Sequence, residues 1–385
     1  MTAGLALILS LVLHVAPGDR INDALDAARE AYAANNERTT IWIAPGTYQE
    51  QLTIDVPGLQ LKNASRHPSI ALRNHGVECD EDAVRITWYY GHGYQYRSMD
   101  TINYGGSRSR RWNASVLVTA PDFYAENIIF ENSFNLYISA QEAADSLYIL
   151  PEYTARPMPE RPKEVGSILV QRKEYRERAA AISFTETATH AHLKNCRAVG
   201  RQDVLYGDQG ASIYWQGGIL QGGVDFIFGA MTLAVNKALI IANINGEDND
   251  KCYISAGRSG SDPKGNRLDS VHTRGMLFYR CHIRLANEDE LQITNDQSPI
   301  TNTTPMVWLA RPWRYWGETV WAYTTWDKEI VNPDAWHTGL TKGKECPNSY
   351  EFRSQDHSVG RPSWVTVLDK PVLPDGTRIR ISNWR

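Results

Sequence analysis

The chain has 385 residues, 42% of them hydrophobic and 22% charged, with a formal net charge of −4. Such a composition supplies a core and excludes wholesale disorder. It also argues against nucleic acid as the main partner, since phosphate binding needs a positive surface, and no run approaches the roughly 20 apolar residues that span a bilayer.

The N-terminal "MTAGLALILSLVLHVAPGD" is apolar from Leu5 to Val12. It reads as the tail of a secretory segment within residues 1–13 or as a first strand, "LVLHVAP". The strand is preferred, because a positive n-region and a clear cleavage site are missing. "DRINDALDAAREAYAANN" is the one convincing helix, with Asp19 as its cap and Ile21, Ala24, Leu25 and Ala28 as its apolar stripe. Beyond it, "TIWIAPGTYQEQLTIDVPGLQLKN" is a series of short β runs broken by Pro-Gly turns. Residues 88–115, rich in Tyr, Arg and Gly, read equally as an exposed loop or as a groove wall. The polar, Pro-bearing stretch 133–178 reads as an inserted loop, and 285–305 as a surface loop with no chemistry. Five cysteines, none in CxxC spacing, predict no zinc site and at most one or two bridges. The sequons at Asn63, Asn113 and Asn302 matter only in a chain secreted by a eukaryotic cell.

A repeat organises the β region. "FYAENIIFEN", "AHLKNCRAVG", "SIYWQGGILQ", "TLAVNKALII" and "MLFYRCHIRL" align on Asn127, Asn195, Gln216, Asn236 and Arg280. The last three spacings, 21, 20 and 44, are one, one and about two units of roughly 20–22 residues, a period of stacked repeats. Short β runs with a polar turn residue fit a parallel β-helix, in which like positions stack coil on coil.

One such unit separates Asp203 in "RQDVLYG" from Asp225 in "GGVDFIFG". Adjacent coils stack about 4.8 Å apart, so both acids fall at equivalent positions. Two carboxylates that close cannot both ionise easily, and one becomes a proton donor. From spacing alone, two solvated turn aspartates are an equal alternative. Serine-hydrolase, zincin and nucleotide-loop patterns are missing, which leaves the carboxylates. Downstream, "WLARPWRYWGETVWAYTTW" carries Arg311 and, two residues on and on the same strand face, Trp313. A guanidinium can hold a carboxylate ionised and an indole can stack on a sugar; an aromatic strand covering the core is the plainer reading.

Together, "GRQDVLYG", "GGVDFIFGA" and "LARPW" resemble, in this order, the signature strands of the pectin methylesterase family of carbohydrate esterases. "IAPGTYQE", "SVLVTAPDFYAENIIFEN", "VNPDAWH" and "NSYEF" with Arg361 and Trp364 extend the resemblance over roughly residues 14–365. It implies an all-β fold: a right-handed parallel β-helix (solenoid) with a short N-terminal capping helix and long inserted loops, one catalytic domain over 1–385. It implies de-methylesterification of galacturonate in pectin, a methyl-esterified homogalacturonan, with release of methanol. Asp225 matches the nucleophile, Asp203 the general acid and base, Gln202 an oxyanion donor and Arg311 the partner of the nucleophile. Trp313, Tyr206 and Phe226 match substrate-binding positions. No metal or cofactor enters, and a secreted or periplasmic monomer is expected. The family's second oxyanion glutamine is missing from "RAAAISF", where Ala180 is read at that position, and Ala310 replaces a glycine. These departures, with the rebuilt loops, keep two alternatives: a non-catalytic pectin-binding β-helix, and an esterase or thioesterase of altered substrate.

Overall fold

The computed structural model of the chain describes residues 10–92, 94–99, 113–149, 159–247, 250–268, 274–293, 306–327, 329–356 and 360–385. Among these, strands assemble into three long sheets of eleven, seven and eight members, and every pairing within the three is parallel. Each coil gives one strand to each sheet. Ile182–Phe184, Ala191–Lys194 and Arg197–Val199 make one turn; Leu205–Gly207, Ser212–Gln216 and Ile219–Gly222 the next; Val224–Gly229, Thr232–Asn236 and Leu239–Ala242 a third. This is the parallel β-helix expected from the repeat.

Stacking fixes what each position faces. Val116, Ile182, Leu205 and Ile227 are consecutive rungs of one ladder, and all four are fully buried in the bore. The corners between two of the sheets need left-handed backbone, which asparagine tolerates better than most residues. Asn127 (φ 58°), Asn195 (φ 48°) and Arg280 (φ 55°) take it. In the other two aligned segments the corner falls one residue later than the repeat implied, at Gly217 (φ 64°) and Lys237 (φ 55°), because Gln216 and Asn236 still pair as strand residues.

The first strand is Ser10–Val15, as preferred, and residues 1–9 and Asn302 lie outside the described residues. The helix Ile21–Asn35 closes the N-terminal end of the bore with Ile21, Leu25 and Ala28 buried. Asp19 does not cap it. Its Oδ2 accepts from the Ala16 amide, while Glu50, brought over by the following turn, accepts from the Ile21 and Asn22 amides. Acidic oxygens at a helix N-terminus satisfy its free N–H groups whatever their place in sequence. None of the described helices is long and apolar enough to cross a membrane. All five cysteines are unpaired.

The stretch 133–178 adds no coil; its described part is short helices and one strand, Leu147–Ile149, antiparallel to Tyr94–Tyr96. It covers the outer face of the eight-stranded sheet. That face therefore carries buried charge, each group with a partner. Glu131 accepts from Thr87 and Tyr137 at 2.8 and 2.6 Å, and Arg161 donates to Glu142 at 2.7 Å. Of the segment 285–305, residues 294–305 lie outside the described residues, and the described part is not mere surface. Glu290 is 5% exposed and accepts from Arg197 at 3.0 Å and from Arg284 at 2.7 and 2.8 Å. Removing one member of a buried ion pair strands the other charge, at a cost of about 3–5 kcal/mol. Glu290→Ala, which leaves Arg197 without its carboxylate, should lower unfolding stability by about that amount in a urea titration.

Candidate active site

Asp203 and Asp225 occupy corresponding rungs. Gln202 bridges Val224, and Leu205 pairs with Ile227, so the two acids lie side by side on adjacent coils. Both have left-handed backbone, φ 58° and 46°, a conformation that Asp adopts more readily than most residues. On the next coil Val224 pairs with Tyr253 but Ile227 with Ser255, which marks a bulge of one extra residue at Asp225. Bulges re-aim side chains beside functional sites.

The bulge corrects the expectation for Phe226. The extra residue turns both Phe226 (1% exposed) and Ile227 into the bore, and outward alternation resumes at Phe228. Gly222 leaves room for this: a Cβ there would stand 2.3 Å from Phe226 Cβ. Phe228, not Phe226, therefore joins Tyr206 on the outer wall, ring centroids 4.7 Å apart, and stands 6.1 Å from the Trp313 ring.

Arg311 enters from a coil further on, its amide held by the Ser255 carbonyl at 2.8 Å. Its guanidinium donates to Asp225 in a two-pronged pair, Nε to Oδ1 at 3.1 Å and Nη2 to Oδ2 at 2.5 Å, and lies 4.0 Å from the Tyr253 ring centroid. The C-terminal residues picked out by the sequence brace this region from behind. Trp336, bridged to Ala310, donates to Glu351, and Arg361 donates to the same carboxylate, both at 2.7 Å. Trp364 stands edge-on to Trp336.

The electrostatics of the two acids differ. Burial first, and then the neighbouring Asp225 charge, push the Asp203 carboxyl well above the usual range; Arg178 and Arg311 oppose and Glu177 adds. Burial also raises Asp225, but the Arg311 hydrogen bonds and charge pull the other way. The shared proton therefore resides on Asp203 and the charge on Asp225.

Beside them is a cavity of about 250 Å³, lined by Arg178, Ser183, Asp203, Tyr206, Phe228 and Trp313 among others. His92, Asn113 and Ala114 bound it as well, so the ends of the 88–115 stretch form a groove wall, backed by the buried rings of Tyr89, Tyr90, Tyr94 and Tyr96; residues 100–112 lie outside the described residues. Gln202 is half-buried beside Asp203, and its side chain makes no hydrogen bond among the described residues. The register also corrects the reading of "RAAAISF". The residue opposite Gln202 on the preceding coil is Arg178, not Ala180. Counting back one coil from Gln202 through paired strands would have found it, but Ile182 pairs with Leu205, so this coil carries one residue more between the two rungs. No cluster of metal-ligating side chains occurs among the described residues.

The pectinesterase family model matches residues 167–347, the part of the chain that holds both acids and Arg311. Over these residues the chain is similar to the pectinesterase family. It is 26% identical to Pectinesterase 31 of Arabidopsis thaliana over 334 residues, covering 86% of this chain and 77% of that protein. It is 24% identical to probable pectinesterase A of Aspergillus niger over 335 residues, 87% of this chain and 73% of the relative. Its fold is that of a pectin methylesterase solved in complex with a hexasaccharide (TM-score 0.60, 18% identity, 93% of this chain and 92% of that one) and of the carrot pectin methylesterase (TM-score 0.58, 18% identity, 96% and 90%).

A carboxyl whose folded-state pKa is raised gives stability that is full below its unfolded pKa and lost as pH rises through the folded one. Asp203→Asn removes that loss. Its melting temperature should exceed that of the parent at pH 8, and the gap should close below about pH 4, as followed by thermal unfolding across pH.

Proposed function

We propose that this protein hydrolyses the methyl esters of galacturonate residues in pectin and releases methanol. The observation that carries the reading is Asp225 gripped by Arg311 through two hydrogen bonds, beside Asp203 on the adjoining coil. The match to the pectinesterase family model and relatives named pectinesterases support the substrate; the neighbour solved with a hexasaccharide supports a carbohydrate chain in the groove.

In this scheme an Asp225 oxygen attacks the ester carbonyl, and the carbonyl π electrons move to oxygen, where the Gln202 amide donates to the new oxyanion. As the carbonyl re-forms, the C–OCH3 bond breaks and the departing oxygen takes the Asp203 proton, giving methanol and an acyl-enzyme anhydride. Asp203, now a carboxylate, takes a proton from water; the hydroxide so formed attacks the acyl carbon, and Asp225 leaves as carboxylate. The product acid is the demethylated galacturonate, and its proton passes to solvent. Arg311 keeps the nucleophile ionised and oriented. Tyr206, Phe228 and Trp313 offer aromatic faces on which a sugar ring can lie. The protein then works as a monomer outside the cell, where its polymer is, without metal or cofactor.

Asp225→Asn should reduce methanol release from highly esterified pectin to background while folding survives, because Asn is isosteric. Retention of more than about a tenth of the rate, a barrier change under 1.4 kcal/mol, would overturn the role of Asp225. Asp203→Asn should lose about 10²–10⁴ in rate and leave a pectin fragment bound to Asp225, seen as added mass on the intact protein. Arg311→Lys keeps charge without the planar fork, and its rate should fall between the parent and Asp225→Asn.

A further inference from the structure

Gln202 is a single neutral donor, and the register sets a second residue opposite it. We propose that Arg178 is a catalytic residue of this site, a charged donor that joins Gln202 in binding the oxyanion. The inference rests on the esterase reading above.

Four observations point to it. Arg178 bridges Gln202 on the adjoining coil and lines the cavity that holds Asp203. Its side chain is 38% exposed, but its backbone is fixed, because both sides of its peptide are pinned. Its carbonyl accepts from the His92 amide at 2.7 Å, and the preceding residue, Glu177, exchanges two backbone hydrogen bonds with the Asn135 side chain. Its Nε is occupied by Glu177 Oε1 at 3.0 Å, while Nη1 and Nη2 make no hydrogen bond among the described residues. That leaves two N–H-bearing nitrogens of a planar fork for an acceptor in the cavity. Ser183, 1% exposed and also lining the cavity, has a buried Oγ without a partner, so the wall on this side is short of an acceptor.

A guanidinium differs from an amide in bringing full charge to the oxyanion, and charge-assisted hydrogen bonds are about twice as strong as neutral ones. The same charge acts on Asp203. The charged groups that bear on this acid are Asp225 and Glu177, which favour its proton, and Arg178 and Arg311, which oppose it. Removing the Arg178 charge lets Asp203 keep its proton to higher pH, so the alkaline limb of activity moves up.

The test compares the wild type with Arg178→Ala and Arg178→Gln on 4-nitrophenyl acetate, whose hydrolysis needs the oxyanion site but no polymer groove, and on methyl-esterified pectin. Arg178→Ala should lower kcat on the aryl ester by about 10²–10³ with KM little changed. Arg178→Gln should recover most of that loss and shift the alkaline limb upward. A kcat within about threefold of wild type for Arg178→Ala, below the cost of one lost oxyanion donor, overturns the proposal, as does a loss confined to KM. If Arg178→Ala does not fold, Arg178→Gln decides alone: an unmoved alkaline limb overturns the proposal. A wild type that cleaves the aryl ester but releases no methanol from pectin sinks the pectin reading and leaves the Arg178 comparison standing. A wild type silent on both esters overturns both.

Discussion

The fixed register of one coil upon the next is the constraint on which this molecule depends. Parallel stacking gives each residue a neighbour one coil above and one below, and inward positions must be apolar along the whole ladder, as Val116, Ile182, Leu205 and Ile227 are. A slip of one residue would turn that ladder outward. The same rule that lines up the core lines up Asp203 with Asp225 and Arg178 with Gln202. Residues tens of positions apart become neighbours without any loop having to find its place.

Two adjacent carboxylates, Asp225 buried and Asp203 half-buried, are an electrostatic conflict, and the fold resolves it unequally. Arg311 reaches only Asp225 with hydrogen bonds, so one acid is stabilised as an anion and the other keeps the proton. The left-handed backbone at both acids and the bulge at Asp225 are local irregularities held in place by regular rungs on either side. Such departures persist only where surrounding structure over-determines them. On the opposite flank, the eight-stranded sheet is covered on its outer face as well as its inner one. Its Arg85, Glu131, Arg197 and Gln221 consequently sit in a polar layer beneath the covering segments, Glu131 against Tyr137, Arg85 against the Gly76 and Val77 carbonyls, and Arg197 against the Ile70 carbonyl and Glu290.

Much of this was legible from periodicity. The 20–22-residue unit carried the solenoid, and one unit of separation carried the acid pair, because stacking turns sequence distance directly into spatial adjacency. What was missed has a common cause: a residue or two gained or lost inside a coil. The bulge at Asp225 moved the cavity aromatic from Phe226 to Phe228. The coil before Asp203 is one residue longer than the 22-residue unit at Ile182 and holds a further residue ahead of it, which together place Arg178, not Ala180, opposite Gln202. Corner glycines displaced the repeat marker from Gln216 to Gly217. Alternation cannot register such insertions, since both neighbours are often apolar, as in "DFIF". Long-range capping was equally hidden: Asp19 has the right residue type, but Glu50 has the right place. The insertion at 133–178 was recognisable as a non-coil segment, yet its burial of Glu131 and Arg161 depends on what it lies against, which no local pattern encodes.

The cysteines carry a last consequence. Cys196 and Cys281 face the bore with their thiols pushed up to about 12, Cys252 is raised further still by burial and by Asp250, and Cys346 reaches about 11. A thiol that stays protonated and shielded is a poor nucleophile and a poor target for oxidants. The solenoid is cohesive through stacked side chains and backbone ladders, with no covalent staple to form or to lose. Packing shields the four buried thiols, so an oxidant would meet the half-buried Cys79 before any thiol of the bore.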